Sequence, residues 1–231
     1  MSDAMLYTPH GCVLYLDLRK ANGNKVYDYS GHGNHGVVYG ARLNQELPCK
    51  GLEFDGEDDY VEVPYNTILD ITNDELTLEA VAFPFEARTQ QLIEMSSGTG
   101  STERKYGLYI HYTLGLGFEV QTDVGRVDKY YGEVKLKKWG HFVGVYDGEL
   151  MRWYLDGVEI ASYPQSGNVV SRPDQPLHVG CFKTVSWFYG LILLVRIYNR
   201  ALTADEIKKC FEDVQKRILR RIVAARDVAV R

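Results

Sequence analysis

From Cys12 to Tyr198 the chain is interrupted every few residues by turn signals, and the segments between them alternate apolar and polar side chains. Alternation with a period of two marks half-buried strands. It predicts strands near 12–18, 36–40, 51–54, 60–64, 76–84, 91–95, 106–112, 116–122, 126–131, 140–146, 150–155, 158–163, 176–180 and 186–198. The breaks include Asn22-Gly23, Ser30-Gly31, Asp55-Gly56, Asp147-Gly148 and Asp156-Gly157. Asp-Gly is a strong hairpin signal because a type I′ turn needs positive φ at both central residues. So many short strands with no helix among them point to an all-β fold, two antiparallel sheets packed face to face as a jelly-roll sandwich.

A helix follows the last strand. Thr203-Ala204-Asp205-Glu206 is a capping box, a Thr N-cap with Glu three residues later. Ile207, Phe211, Val214, Ile218, Ile222 and Ala225 then recur at three- and four-residue spacing, opposite Lys209, Lys216, Arg217, Arg220 and Arg226. The pattern predicts a helix running to about residue 228, and divides the chain into a sandwich (1–202) and a basic amphipathic helix (203–231). The apolar stripe can pack on the sandwich, pair with another copy or a partner, or lie on an anionic membrane. Its length favours self-association or partner docking, then packing within the chain, with the membrane last.

A net charge of −5 gives no reason to expect nucleic-acid binding. No apolar run reaches membrane-spanning length, and the N-terminal segment does not read as a signal peptide. Cys12, Cys49, Cys181 and Cys210 are scattered without metal-binding spacing, so no zinc site is expected. They could form up to two disulfides, but with no export signal they are expected reduced.

Alternation also assigns faces. In Tyr106–Tyr112, Leu108 and Ile110 share one side while Tyr109 and His111 share the other; in Leu116–Thr122, Glu119 and Gln121 lie opposite Phe118 and Val120. With the apolar set in the core, Tyr109, His111, Glu119 and Gln121 line an outer surface. Tyr130, Tyr131 and Trp187 fall at predicted strand ends or loops. Aromatic rings stack on the C–H faces of sugars while polar neighbours fix hydroxyls. These seven are therefore the candidate ligand-binding residues, although packing is the commoner role for any one of them. Trp139 and Trp153 are expected in the core, and His141 as a buried, hydrogen-bonded histidine.

Eight segments, in order, resemble the laminin G-like branch of the concanavalin A-like lectin/glucanase superfamily: LYLDL (14–18), DYSGHGNHG (28–36), GLEFDGEDDYVEVP (51–64), LTLEAVAFP (76–84), WGHFVGVYDG (139–148), RWYLDG (152–157), PLHVG (176–180) and YGLILLVRIYNRALTADEI (189–207). They cover about residues 12–210. The resemblance implies a jelly roll that binds glycans or proteins, usually extracellular or at a surface. It also implies two departures. An Asp-Glu pair that commonly helps hold a structural calcium is replaced by Leu193 and Leu194, and a Trp is replaced by Val81. Asp28, Gly33 and Asn34 are the candidate calcium ligands, set against a plain hydrogen-bonded turn, which the two leucines favour. The hairpin tip Asp55, Glu57, Asp58 and Asp59 could be a second calcium site, but a solvated turn is favoured.

Relatives that cleave β-glucans carry an ExDxxE strand, and no such segment occurs. Glu79, Glu94 and Glu119 lie on different predicted strands. The reading that results is a non-catalytic carbohydrate-binding domain whose partner is a glycan or glycosylated surface. The alternative is a structural or adhesion protein assembling through residues 203–231. A glycoside hydrolase or polysaccharide lyase ranks below both.

Overall fold

A computed structural model describes residues 6–44, 51–97, 103–182 and 185–219. The described strands are β1 (Cys12–Asp17), β2 (Lys25–Val26), β3 (Gly36–Tyr39), β4 (Arg42–Asn44), β5 (Gly51–Asp55), β6 (Tyr60–Val63), β7 (Leu76–Pro84) and β8 (Gln90–Ser96). They continue as β9 (Arg104–Ile110), β10 (Leu116–Gln121), β11 (Arg126–Tyr131), β12 (Gly140–Tyr146), β13 (Leu150–Leu155), β14 (Val158–Pro164), β15 (Leu177–Val179) and β16 (Tyr189–Tyr198). Helix α1 (Ala204–Val214) follows. The short β2 and β4 have too few residues to show alternation and were not expected from sequence.

The strands form two eight-stranded antiparallel sheets. The first runs β14-β13-β12-β7-β16-β5-β4, with β1 beside the C-terminal half of β16; the second runs β11-β10-β9-β8-β15-β6-β3-β2. Leu108, Ile110, Phe118 and Val120 of the second sheet meet Phe142, Trp153, Ile192 and Val195 of the first in one core. The hairpin between β13 and β14 turns at Asp156 (φ 50°) and Gly157 (φ 79°), the two positive angles of a type I′ turn.

Helix α1 covers the outer side of the first sheet. Thr203 Oγ1 accepts from Glu206 N at 3.3 Å and Glu206 Oε2 accepts from Thr203 N at 2.9 Å, so the capping box is complete. Ile207 packs with Val143, Val145, Tyr154 and Tyr198, and Val214 packs with Tyr15, Val81, Leu193 and Leu194. The apolar stripe is thus used within the chain as far as Val214. Burying a valine side chain fully is worth about 1.5–3 kcal/mol. The part of the predicted helix from 220 to 231 lies outside the described residues.

Val81, Leu193 and Leu194, which the resemblance marks as departures, all fall in this one apolar cluster under Val214. An irregularity in β16 between Ile192 and Leu194 puts both leucines on the outer side. Beside them Glu79 is fully buried, with Arg196 Nη1 at 3.3 Å and with His141 Nε2 and Tyr198 Oη each at 2.9 Å. Burial alone would raise its pKa. The Arg196 charge, with help from His141 and Tyr198, holds it at about 2. His141 is the buried, hydrogen-bonded histidine expected from sequence, and Trp153 is in the core; Trp139 is only partly buried, against the outer cluster.

Cys12 and Cys210 are thiols, and burial pushes the Cys12 thiol up to about 12. Cys49 lies outside the described residues.

Candidate functional site

No helix among the described residues covers the outer face of the second sheet. Strand register sets its side chains in transverse rows. In one row Tyr130 of β11 faces Gly117 of β10, Gly117 faces Tyr109 of β9, and Tyr109 faces Gln91 of β8. In the next, Asp128, Glu119, Gly107, Glu94, His178 and Glu62 are successive partners from β11 to β6.

Three glycines lower the floor of this face. A Cβ at Gly107 would lie 2.3 Å from Glu94 Oε2 and 3.0 Å from Glu119 Oε1. One at Gly117 would lie 2.2 Å from Tyr109 Cζ, and one at Gly115 2.9 Å from Tyr130 Cδ2. The carboxylates and rings therefore lie flat on bare backbone. The depression so formed has a volume of about 270 Å³ and is lined by Thr89, Gln91, Arg104, Tyr109, His111, Asp128, Tyr130 and Ser186. His111 and Tyr130 form its aromatic wall, stacked at 3.7 Å with an interplanar angle of 10°, and Tyr112 adds a ring 4.2 Å from His111. Burial lowers the His111 pKa, against the opposing pull of the Asp128 charge.

Charges under the cleft are balanced among themselves. Glu119 accepts from Arg104 Nη1 at 2.5 Å and from Arg126 Nη2 at 2.8 Å, and Arg126 also pairs with Asp128. Tyr109 Oη donates to Asp128 Oδ1 at 2.7 Å, and burial followed by the Asp128 charge keeps that phenol protonated. Gln91 Nε2 donates to Glu94 Oε2 at 2.6 Å. Burial, and then the Glu119 charge, hold the Glu94 carboxyl well above the usual carboxylate range. Glu94 is 0% exposed and Glu119 1% exposed. The two carboxyls form the sealed floor, while the Asp128 carboxylate and the His111 and Tyr130 rings stand at the open side.

Of the residues singled out in the sequence, Tyr109, His111 and Tyr130 meet in the cleft, and Glu119 lies beneath it. Gln121 shares the sheet face one row away, opposite Arg126, and donates to Thr122 O rather than lining the depression. Tyr131 is corrected: it points inward, its ring 4.9 Å from Trp153, because consecutive strand residues face opposite sides. Trp187 stands next to the cleft, 6.0 Å from the Tyr60 ring. Gln91, Glu94, Arg104, Arg126 and Asp128 were missed as a group. Arg126 and Asp128 alternate with Tyr130 along β11, and glycines at 107, 115 and 117 signal close approach to backbone; those signals were legible.

Asp28 sits in a self-contained turn. Its Oδ1 accepts from Tyr15 N and Ser30 N, both at 2.9 Å, and its Oδ2 from Ser30 Oγ at 2.8 Å and Asn34 N at 2.9 Å. Asn34 Nδ2 donates to Val13 O at 2.9 Å, while Gly33 O accepts from His35 N at 2.9 Å. His35 Nδ1 accepts from Asp28 N at 3.0 Å. Four donors occupy the carboxylate, and Leu193 and Leu194 bring no oxygen, so this donor set does not fit calcium. At the acidic tip, carboxylates of Asp55, Asp58 and Asp59 come within 4.8 Å of one another. There Asp55 Oδ1 accepts from Glu57 N and Asp58 N, a hydrogen-bonded turn.

Two packed antiparallel sheets with a capped helix after the last strand define a lectin-type sandwich. The chain belongs to the concanavalin A-like lectin/glucanases superfamily, whose laminin G model matches residues 55–208. Among solved structures it is similar to Trypanosoma rangeli sialidase (20% identity, TM-score 0.65, 91% of this chain and 34% of that one). It is also similar to the binding domain of Paraclostridial Mosquitocidal Protein 1 (14% identity, TM-score 0.68, 87% of this chain and 52% of that one). The binding domain of Botulinum Neurotoxin DC, solved in complex with SialylT, gives 14% identity and a TM-score of 0.67 over 89% of this chain and 52% of that one. The chain thus spans about a third of the sialidase and about half of the toxin domains, and at these identities the likeness is one of fold. No curated protein matches the sequence significantly.

Proposed function

We propose that the chain is a non-catalytic glycan-binding domain and that the cleft of β8–β11 holds a sugar ring. The carrying observation is the stacked His111–Tyr130 wall beside the hydroxyl of Thr89 and the carboxylate of Asp128 in one depression. A pyranose has apolar C–H faces and a rim of hydroxyls, and the cleft offers a ring for the first and fixed polar groups for the second. Arg104 and Arg126 are spent on Glu119 and Asp128, so the chemistry favours a neutral sugar over an acidic one. Membership of a lectin/glucanase superfamily supports a carbohydrate ligand.

A hydrolytic role has less support. The Glu94 and Glu119 carboxyls are shut away from solvent, and Glu119 is held by two guanidinium groups, whereas a glycosidase needs both acids at the sugar. Ile207, Cys210 and Val214 are buried against the first sheet, so the alternative of assembly through the C-terminal helix rests on the residues beyond Val214, of which 220–231 lie outside the described residues. No helix among the described residues is long and apolar enough to cross a membrane.

The test is a glycan array followed by calorimetry on Tyr130→Ala. The expected result is binding to a neutral glycan that weakens about tenfold in the variant, the value of one aromatic stacking contact. Silence across plant, bacterial and animal glycans would overturn the proposal.

A further inference from the structure

A second aromatic group lies on the same sheet face. Tyr39 of β3 and Tyr60 of β6 are register partners with rings stacked at 4.6 Å and 10°. Trp187 and His178 place their rings 6.0 Å and 5.8 Å from Tyr60. Tyr39 is 41% exposed, and Tyr60 and Trp187 are half-buried. Glu62, from the same strand as Tyr60, supplies a carboxylate beside the rings.

This group continues the line of the cleft. Glu94 and Glu62 flank His178 from β8 and β6, which run in the same direction because each is antiparallel to β15. Moving toward the N-terminal ends of both strands leads from Glu94 to Gln91, past the extra residue Leu92, and from Glu62 to Tyr60. Tyr130, Gly117, Tyr109 and Gln91 on one side, and Tyr60 and Tyr39 on the other, thus fall along one transverse row. Where that row meets β15, Ser186 lies beside β8, its carbonyl accepting from Gln91 N at 2.9 Å. Ser186 lines the cleft and the next residue, Trp187, reaches Tyr60. From β11 to β6 is five inter-strand steps, about 24 Å at the usual strand spacing.

We infer that a single linear, neutral glycan lies across the strands, with one ring in the cleft and a later ring on the Tyr39–Tyr60–Trp187 surface. The inference rests on the cleft reading above. Two linked contacts raise affinity through effective concentration, so a chain that spans both sites binds more tightly than one that fills the cleft alone.

The test is calorimetry on the full chain with disaccharides and octasaccharides of the cello-, laminari- and chito- series. Wild type is compared with Tyr130→Ala in the cleft and with Tyr39→Ala and Trp187→Ala at the second surface, after thermal melts confirm folding. The expected result is an octasaccharide that binds wild type roughly tenfold or more tightly than its disaccharide. Tyr39→Ala and Trp187→Ala should remove that gain, Tyr39→Ala with the disaccharide affinity unchanged, while Tyr130→Ala weakens both. If the second-surface variants keep the full octasaccharide affinity while Tyr130→Ala loses it, the spanning ligand is overturned and the cleft stands. If Tyr130→Ala binds both ligands like wild type, the cleft reading falls and the inference with it.

Discussion

Glu94 and Glu119 approach each other over Gly107, from the strands on either side of it, and the missing side chain is what lets them meet. One of the two is held by a pair of arginines and the other is kept protonated by burial and by its neighbour's charge.

A pH dependence follows. Glu94 is raised in the folded protein, so the folded state keeps a proton that the unfolded chain releases. The stability this contributes is full below the ordinary glutamate pKa and is lost as pH rises toward the folded-state value. Glu94→Gln fixes the neutral form. The variant is expected to gain stability relative to wild type between roughly pH 5 and pH 8. Urea unfolding at both ends of that range checks this, and an equal loss at both would contradict it.

The glycine floor gives a second expectation. Gly117→Ala puts a methyl 2.2 Å from Tyr109 Cζ and must lift that ring off the sheet. Overpacking of this kind costs about 1–3 kcal/mol. The cost should appear in the urea midpoint together with weaker glycan binding. An alanine variant with wild-type affinity would mean that Tyr109 does not need its present seat.

Under the helix, Arg196→Met would leave Glu79 buried without its main cation. Breaking a buried pair from one side costs about 3–5 kcal/mol. Glu79 itself is held at about 2 in the folded state. Its contribution is therefore present above the ordinary glutamate pKa and is lost as pH falls through the acid range toward that value. Acid titration of stability should show a limb that Arg196→Met abolishes.

Metal removal is expected to change nothing. With four protein donors on the Asp28 carboxylate, thermal melts in EDTA and in millimolar calcium should coincide. A calcium-dependent rise would show that a cation binds the native state, at the turn 28–36 or at the Asp55, Asp58 and Asp59 tip.

Much of this fold was legible as pattern. Alternation located Leu108 and Ile110 opposite Tyr109, and Asp156-Gly157 gave its hairpin; Thr203 and Glu206 gave the cap. Three of the cleft residues, Tyr109, His111 and Tyr130, were in reach by the same argument. Tyr131 was not separable from Tyr130 by residue type, although its neighbour's direction decides its own. Gln91 and Glu94 show where alternation fails. A strict period of two puts them on opposite faces, and the bulge at Leu92 puts them on the same one.

The sequence by itself determined the strands, their apolar sides and the start of the helix, because each depends on residues a few positions apart. The tertiary structure decided which outer face the described helix covers. That depends on Val214 seating on Val81, Leu193 and Leu194. It also decided the rows that join Asp128 to Glu62 and Tyr130 to Gln91, since register between strands distant in sequence is set by core packing and bulges.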